Sequence, residues 1–181
     1  IHDRINALKP YPIDLYQVHQ PFGFSGEKGE MEAMADIFES EHIRSIGVSN
    51  FSANKMRNAW KVLKKRSIYL ASNQVRYNLL DRRIESNGTL HAAKDHGITV
   101  IAYSPLAQGL LTGKYHDNPD IIQNLGMRKF TPSFTRKALE KSLPVIRLVK
   151  ELAAKYDVSA SQIALNWIMN FHGESVLVIP G

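Results

Sequence analysis

The sequence predicts an α/β fold built on a parallel sheet, on three observations. Short apolar runs recur five times along the 181 residues. Amphipathic stretches of helical length separate them, and four of the runs close on polar side chains. Strands that alternate with helices form βα units, and such units make parallel sheets. The composition, with 44% hydrophobic and 22% charged residues, suits one domain with a substantial core. Disorder, collagen and low-complexity sequence are excluded. No apolar run reaches the roughly 18 residues of a spanning helix, no leader is read at the N-terminus, and no membrane partner is expected. The absence of cysteine excludes disulfides, iron–sulfur clusters, thiolate zinc sites and cysteine nucleophiles, and a cytoplasmic location is expected.

The elements follow in order. Residues 13–19 read as the first strand, and a helix follows over 30–41 with Met31, Met34, Ile37 and Phe38 on one face. Residues 43–49 are the second strand. Ser52 caps the next helix, which runs to about Arg66 with Met56, Ala59, Trp60 and Leu63 as its buried stripe. The third strand is 69–77, followed by a helical segment that ends near His96, where Gly97 suits a left-handed cap. Residues 98–103 form the fourth and most apolar strand, and a long loop rich in Gly, Pro and Asn spans about 104–133. A helix over 135–156, bent or broken at Pro144, comes next. A second helix starts at Ser159, whose Ser-Ala-Ser-Gln pattern is a capping box, and 176–179 is the fifth strand.

The formal net charge is +6, and its densest run, 61–66, lies at the end of a helix. Cations there complement the helix dipole and cap free carbonyls. No nucleic-acid partner is therefore expected. A modest positive excess also suits an anionic small molecule.

The polar strand ends are His19, then Ser49-Asn50, then Asn73-Gln74 within the third run, then Tyr103-Ser104. They recur at the interval of one βα unit. In a parallel sheet all strand C-termini share a face, and ligands bind there. Two architectures supply such a face. An open doubly wound sheet wants G-x-G-x-x-G after its first strand, but residues 23–29 spell G-x-x-G-x-x-G and read as a loop tip. A closed (β/α)8 barrel needs about 250 residues, more than five strands can supply.

Other chemistries fail on spacing. His91 and His96 lie off one helical face, and His116, Asp117 and Asp120 have no recognised ligand spacing, so no metal is expected. Ser25 lacks the G-x-S-x-G elbow of a serine hydrolase. Residues 109–114 are one residue short of a P-loop, and Tyr115 replaces its Ser or Thr. A Gly-rich loop with one Lys after a strand can still hold a pyrophosphate, or it is an ordinary surface turn. The amides of Asn50 and Gln74 suit pairing with another amide, and Tyr103 is either core or a plate for a flat ring.

Three stretches resemble the aldo-keto reductase superfamily, in its bacterial and potassium-channel-β-like branches. Asp14-Leu15-Tyr16-Gln17-Val18-His19 is similar to the fourth barrel strand, which ends in the family's active-site histidine. Met34 through Arg44-Ser45-Ile46-Gly47-Val48-Ser49-Asn50-Phe51 is similar to the family's central signature. Residues 103–115 resemble the seventh strand and its cofactor loop. The resemblance implies a (β/α)8 TIM-barrel type fold, of which 1–181 would be a partial barrel holding strands four to eight. The N-terminal βα units and the C-terminal helix would be absent.

The implied activity is reduction of aldehyde and ketone carbonyls, with NADP(H) favoured over NAD(H) and a small-molecule carbonyl as substrate. His19 would contact the substrate carbonyl as the catalytic residue. Ser49, Asn50 and Gln74 would hold the nicotinamide carboxamide, and Tyr103 would stack on its ring. Ser104, Pro105, Leu106, Ala107, Gln108, Gly109 and Lys114 would line the pyrophosphate and ribose, with Gly181 near the adenosine. The family's Asp, Tyr and Lys belong to the first three βα units. The 181 residues are therefore expected to be inactive alone. The alternative is a non-catalytic half-barrel that binds cofactor or a regulatory partner.

Overall fold

The computed structural model describes residues 1–21 and 26–180. Helix α1 (His2–Leu8) precedes β1 (Tyr16–Val18), α2 (Gly26–Glu39), β2 (Ile46–Ser49), α3 (Ala53–Lys64) and β3 (Leu70–Arg76). Two short helices, α4 (Arg83–Ser86) and α5 (Thr89–Asp95), lead to β4 (Thr99–Tyr103). Beyond it come α6 (Lys114–Asp117), α7 (Arg136–Tyr156), α8 (Ala160–Phe171) and β5 (Val176–Ile179). The five strands form one sheet in the order β1-β2-β3-β4-β5. Strand β1 pairs parallel with β2, Val18 opposite Val48, and β2 pairs parallel with β3, Ser49 opposite Gln74. The expected parallel α/β architecture is present.

The chain divides into two compact units. The first is Ile1–Val75 with Arg83–Ile101, and the second is Arg76–Arg82 with Ala102–Gly181. In the first unit all four residues of β2 are buried. That pattern fits a parallel strand covered on both faces. Helix α3 lays Ala53, Met56, Ala59 and Leu63 on the core and is capped by Ser52, whose hydroxyl accepts from the Lys55 N–H. Helix α2 contributes Met31, Met34 and Ala35. Arg66 ties the two helices by pairing with Glu32, Asp36 and Glu39. Gly97 has the left-handed φ of +64° expected of a cap.

In the second unit a core of Ala107, Leu110, Leu111, Tyr115, Ile122, Phe134, Ile146 and Ala164 gathers the segment after β4 onto α7 and α8. The capping box at Ser159 and Gln162 is formed on both arms. Pro144 sits inside α7 without ending it. The lost backbone bond is offset by burial of Ser142, Ile146, Val149 and Ala153 along the same helix.

Several boundaries differ from the sequence expectation. Strand β1 is shorter than 13–19, because Ile13 makes only an isolated bridge to Ile43, and His19 lies just past its end. Residues 104–133 are not a structureless loop: they hold α6, 3-10 helices at Ala107–Thr112 and Pro119–Phe130, and the start of another at Pro132–Phe134. Positive φ at Ala107 and Gln108, and the kink at Gly126, hide that order from any periodic pattern. Helix α1 has no capping side chain, so nothing local announced it. Gly26 and Gly29 lie in the first turn of α2 rather than in a loop tip. Gly23, Ser25 and Gly181 lie outside the described residues.

Candidate cofactor site

In the first unit the polar groups are held by the backbone of β3. The Ser49 hydroxyl, on a residue 3% exposed, donates to the Gln74 carbonyl at 3.0 Å. The Asn50 N–H donates to the same carbonyl at 2.9 Å. The Asn50 amide in turn donates to Ser49 Oγ at 3.1 Å. Asn50 adopts φ +59°, a left-handed geometry that asparagine tolerates better than most residues. The fully buried Asn73 fixes the following turn. Its amide donates to the Phe51 carbonyl at 2.9 Å, and its oxygen accepts from the Phe51 N–H at 3.4 Å.

Asn73 and Gln74, read together from sequence, therefore have different roles. Asn73 is buried structure, and the half-buried Gln74 side chain remains available for a ligand. His19 is exposed at the C-terminal end of β1. Gly47 is required where it stands: a β-carbon there would meet Ser72 Oγ and come within 2.9 Å of Gln17 Cγ. That space is used by Gln17 Nε2, which donates to Ser72 Oγ at 3.1 Å and to the Val48 carbonyl at 3.3 Å.

In the second unit a cavity of about 640 Å³ opens beside the segment after β4. Of the loop residues that the resemblance assigns to the cofactor, Tyr103, Ser104, Pro105, Leu106, Gln108, Gly109 and Lys114 line it. Ala107 does not: it is buried in the unit's core and shapes the turn from behind. Thr112, Tyr115, Arg128, Ile179 and Pro180 also line the cavity and were not foreseen. No carboxylate lines it among the described residues, so Lys114 and Arg128 give it a positive field.

The turn itself is left-handed at Ser104, Ala107, Gln108 and Gly109. Such residues cost of order 1 kcal/mol or more each when not glycine, and they collect at ligand sites. Here the turn is held from both sides. Asn78, fully buried, donates to the Ser104 carbonyl at 2.9 Å. Its oxygen accepts from the N–H groups of Leu80 and Asp81 at 3.0 and 2.9 Å. Thr112 Oγ1 donates to the Gly109 carbonyl at 2.7 Å. Asn78 was missed because its partners lie far along the chain; the Asn-x-x-Asp turn at 78–81 was the only local signal.

These features fit a dinucleotide. The cavity is concave and cationic, it exposes the backbone of Gly109, and one of its walls carries a buried acceptor: Gln108 Oε1 has no hydrogen-bond partner. A ribose hydroxyl is the kind of donor that would satisfy it. No cluster of three or more metal-ligating side chains occurs among the described residues, and no helix there is long and apolar enough to cross a membrane.

Comparison with known proteins bears on the family and the fold. A model of the "Aldo/keto reductase family" matches residues 2–181. The chain is 32% identical over 174 residues to "Aldo-keto reductase yakc [NADP(+)]" of Schizosaccharomyces pombe, covering 93% of this chain and 48% of that protein. It is 31% identical over 177 residues to "Aldo-keto reductase YhdN" of Bacillus subtilis, covering 97% and 51%. The glycerol dehydrogenase AKR11B4 of Gluconobacter oxydans superposes with a TM-score of 0.81 at 30% identity, over 97% of this chain and 52% of that one. The chain thus spans about half the length of the relatives it matches. Its parallel sheet corresponds to part of a (β/α)8 barrel. By family model, relatives and fold alike, the chain belongs to the aldo/keto reductase family.

Proposed function

We propose that these residues form the cofactor-binding and carbonyl-orienting part of an NADP(H)-dependent reductase that converts aldehydes and ketones to alcohols in the cytoplasm. The observation that carries this reading is the cationic cavity after β4, free of lining carboxylates and walled by the left-handed turn at 107–109. The printed name of one relative, which carries NADP(+), favours the phosphorylated cofactor.

When bound, the dinucleotide supplies a hydride to the carbonyl carbon. The residues of this chain bind and orient. Ser49, Asn50 and Gln74 present a hydroxyl and two amides to the carboxamide, with Ser49 and Asn50 already held by the Gln74 carbonyl. Tyr103 offers its ring as a plate. Ser104, Thr112 and the Gly109 backbone, with Lys114, face the phosphates and ribose. His19, at the end of β1, donates to or polarises the substrate oxygen. The proton that completes an alcohol needs a further donor, which the resemblance places in βα units outside the matched half.

The test is to titrate the purified 181-residue chain with NADPH, then add 4-nitrobenzaldehyde and follow cofactor oxidation. Saturable binding is expected, with turnover on the order of 10²–10⁴-fold below an enzyme that has its general acid. Absence of saturable binding would overturn the proposal.

A further inference from the structure

A second cavity, of about 450 Å³, lies in the second unit and is lined from residues 115–143 alone. Its volume is that of a small-molecule site. Tyr115 and Phe134 meet edge to face in its lining, with ring centroids 5.1 Å apart, and Ile122, Leu139 and Leu143 complete the apolar part. Among the described residues it shares only Tyr115 with the cofactor cavity.

His116, Asp117 and Asp120 are close in sequence but part company in the fold. Asp117 pairs with Lys150, whereas His116 and Asp120 both line this cavity. Asn118 sets the turn that carries Asp120, because its side-chain oxygen accepts from the Asp120 N–H at 3.2 Å. The Asp120 carboxylate has no partner among the described residues. Glu140, the other carboxylate of the lining, is matched by Arg136, whose Nε donates to it at 3.0 Å. One unmatched negative charge is left beside an aromatic, apolar space.

His116 adds no positive charge against it. The Ser142 hydroxyl donates to the Ala138 or the Leu139 carbonyl, at 3.0 and 3.1 Å. The 2.9 Å bond between Ser142 Oγ and His116 Nε2 is therefore donated by the ring. Nδ1 is then a bare acceptor, buried and without a partner. Burial also lowers the His116 pKa, which favours this neutral form. A free carboxylate and a neutral acceptor beside two aromatic rings suit a guest with a cationic N–H head and a flat apolar body.

We propose that this cavity binds a primary arylalkylammonium ion, with the ammonium on Asp120 and the aryl ring against Tyr115 and Phe134. The site goes beyond the cofactor reading and does not rest on it.

The experiment titrates the isotope-labelled 181-residue chain by NMR with 2-phenylethylammonium, 2-phenylethanol and 3-phenylpropanoate in turn. Wild type is compared with Asp120→Asn and with the control Asp157→Asn, at the C-cap of α7. Circular dichroism confirms that each variant is folded. The amine should bind saturably with a Kd on the order of 1 mM or below, and the amide shifts it causes should lie within 115–143. The alcohol should bind roughly tenfold more weakly, the size of one charge-assisted hydrogen bond, and the carboxylate more weakly still. Asp120→Asn should weaken the amine by roughly the same factor and leave the alcohol unchanged. Asp157→Asn should match wild type.

No saturable binding of the amine, shifts that lie elsewhere, or equal affinities for amine and carboxylate would each overturn the proposal. So would an Asp120→Asn variant that binds the amine as wild type does. A loss shared by amine and alcohol in that variant would overturn it too, since the carboxylate would then serve the fold and not the guest. Failure of the chain to bind NADPH would overturn the cofactor reading and leave this site standing.

Discussion

Each unit anchors its functional turn with a fully buried asparagine, but what those asparagines hold is different. In the first unit Asn73 clamps both backbone groups of Phe51, and the chain passes at once through the Ser52 cap into α3. The polar groups of Ser49 and Asn50 are held by the Gln74 carbonyl across the strand pair and by the Asn50 amide on Ser49 Oγ. In the second unit Asn78 clamps the Ser104 carbonyl, and a left-handed turn follows before any regular helix. The first arrangement is rigid because the sheet makes it so. The second holds an unfavourable backbone against a core and leaves its cations exposed. A carboxamide needs fixed partners, whereas a flexible diphosphate is served by mobile charge around a firm turn.

Mutation should expose the difference. The largest effect is expected at Asn78. Its replacement by Ala leaves the Leu80 N–H without its partner and takes one of two bonds from the Ser104 carbonyl and from the Asp81 N–H, which keep the Ala107 N–H and the residue-78 carbonyl. A loss of about 2–4 kcal/mol in unfolding free energy is expected from one buried unpaired group and the bonds lost around it, read by chemical denaturation, together with loss of NADPH binding. Gly47→Ala follows at about 1–3 kcal/mol, because its β-carbon crowds Ser72 and Gln17 in a buried strand. If the first unit were as adaptable as the second, that variant would unfold at the wild-type denaturant midpoint.

Gln108→Gly should separate stability from function. Glycine relieves the left-handed strain at φ +57° but adds freedom to the unfolded chain. The net change in stability should stay within about 1 kcal/mol, while dinucleotide affinity falls because Oε1 is gone. Unchanged affinity would remove Gln108 from the site.

The smallest effect concerns His116, outside the cofactor cavity. Its Nε2 lies 2.9 Å from Ser142 Oγ, and burial lowers its pKa below the ordinary value near 6.5. The unfolded chain then takes up a proton before the folded one does. Stability is full above pH 6.5 and declines as pH falls through the folded pKa. His116→Gln should flatten that part of the profile, as measured by thermal unfolding between pH 7.5 and 5.

Legibility in the sequence followed the same division. His19, Ser49, Asn50 and Tyr103 stand out because they close apolar runs, and Gln74 because it is a polar residue within one, at the interval of a βα unit. The caps at Ser52 and Ser159 carry local side-chain signals and were equally plain. The segment 104–134 could not be read. Its order comes from left-handed residues and 3-10 turns, which have no hydrophobic period. Arg128 and Asn78 act on residues 20 and 26 positions away, so their roles exist only once the chain is folded. Ala107, assigned to the cofactor loop by resemblance, has its side chain in the core beneath that loop, a packing role no local pattern announces.

The most direct test of the account is hydrogen–deuterium exchange of the 181-residue chain with and without NADPH. Protection should rise in two separate stretches, 104–114 with Arg128 and 49–51, while α2 and the α7–α8 pair stay unchanged. Exchange that is unaltered in 104–114 at saturating cofactor would contradict the claim that the left-handed turn and its cations hold the dinucleotide.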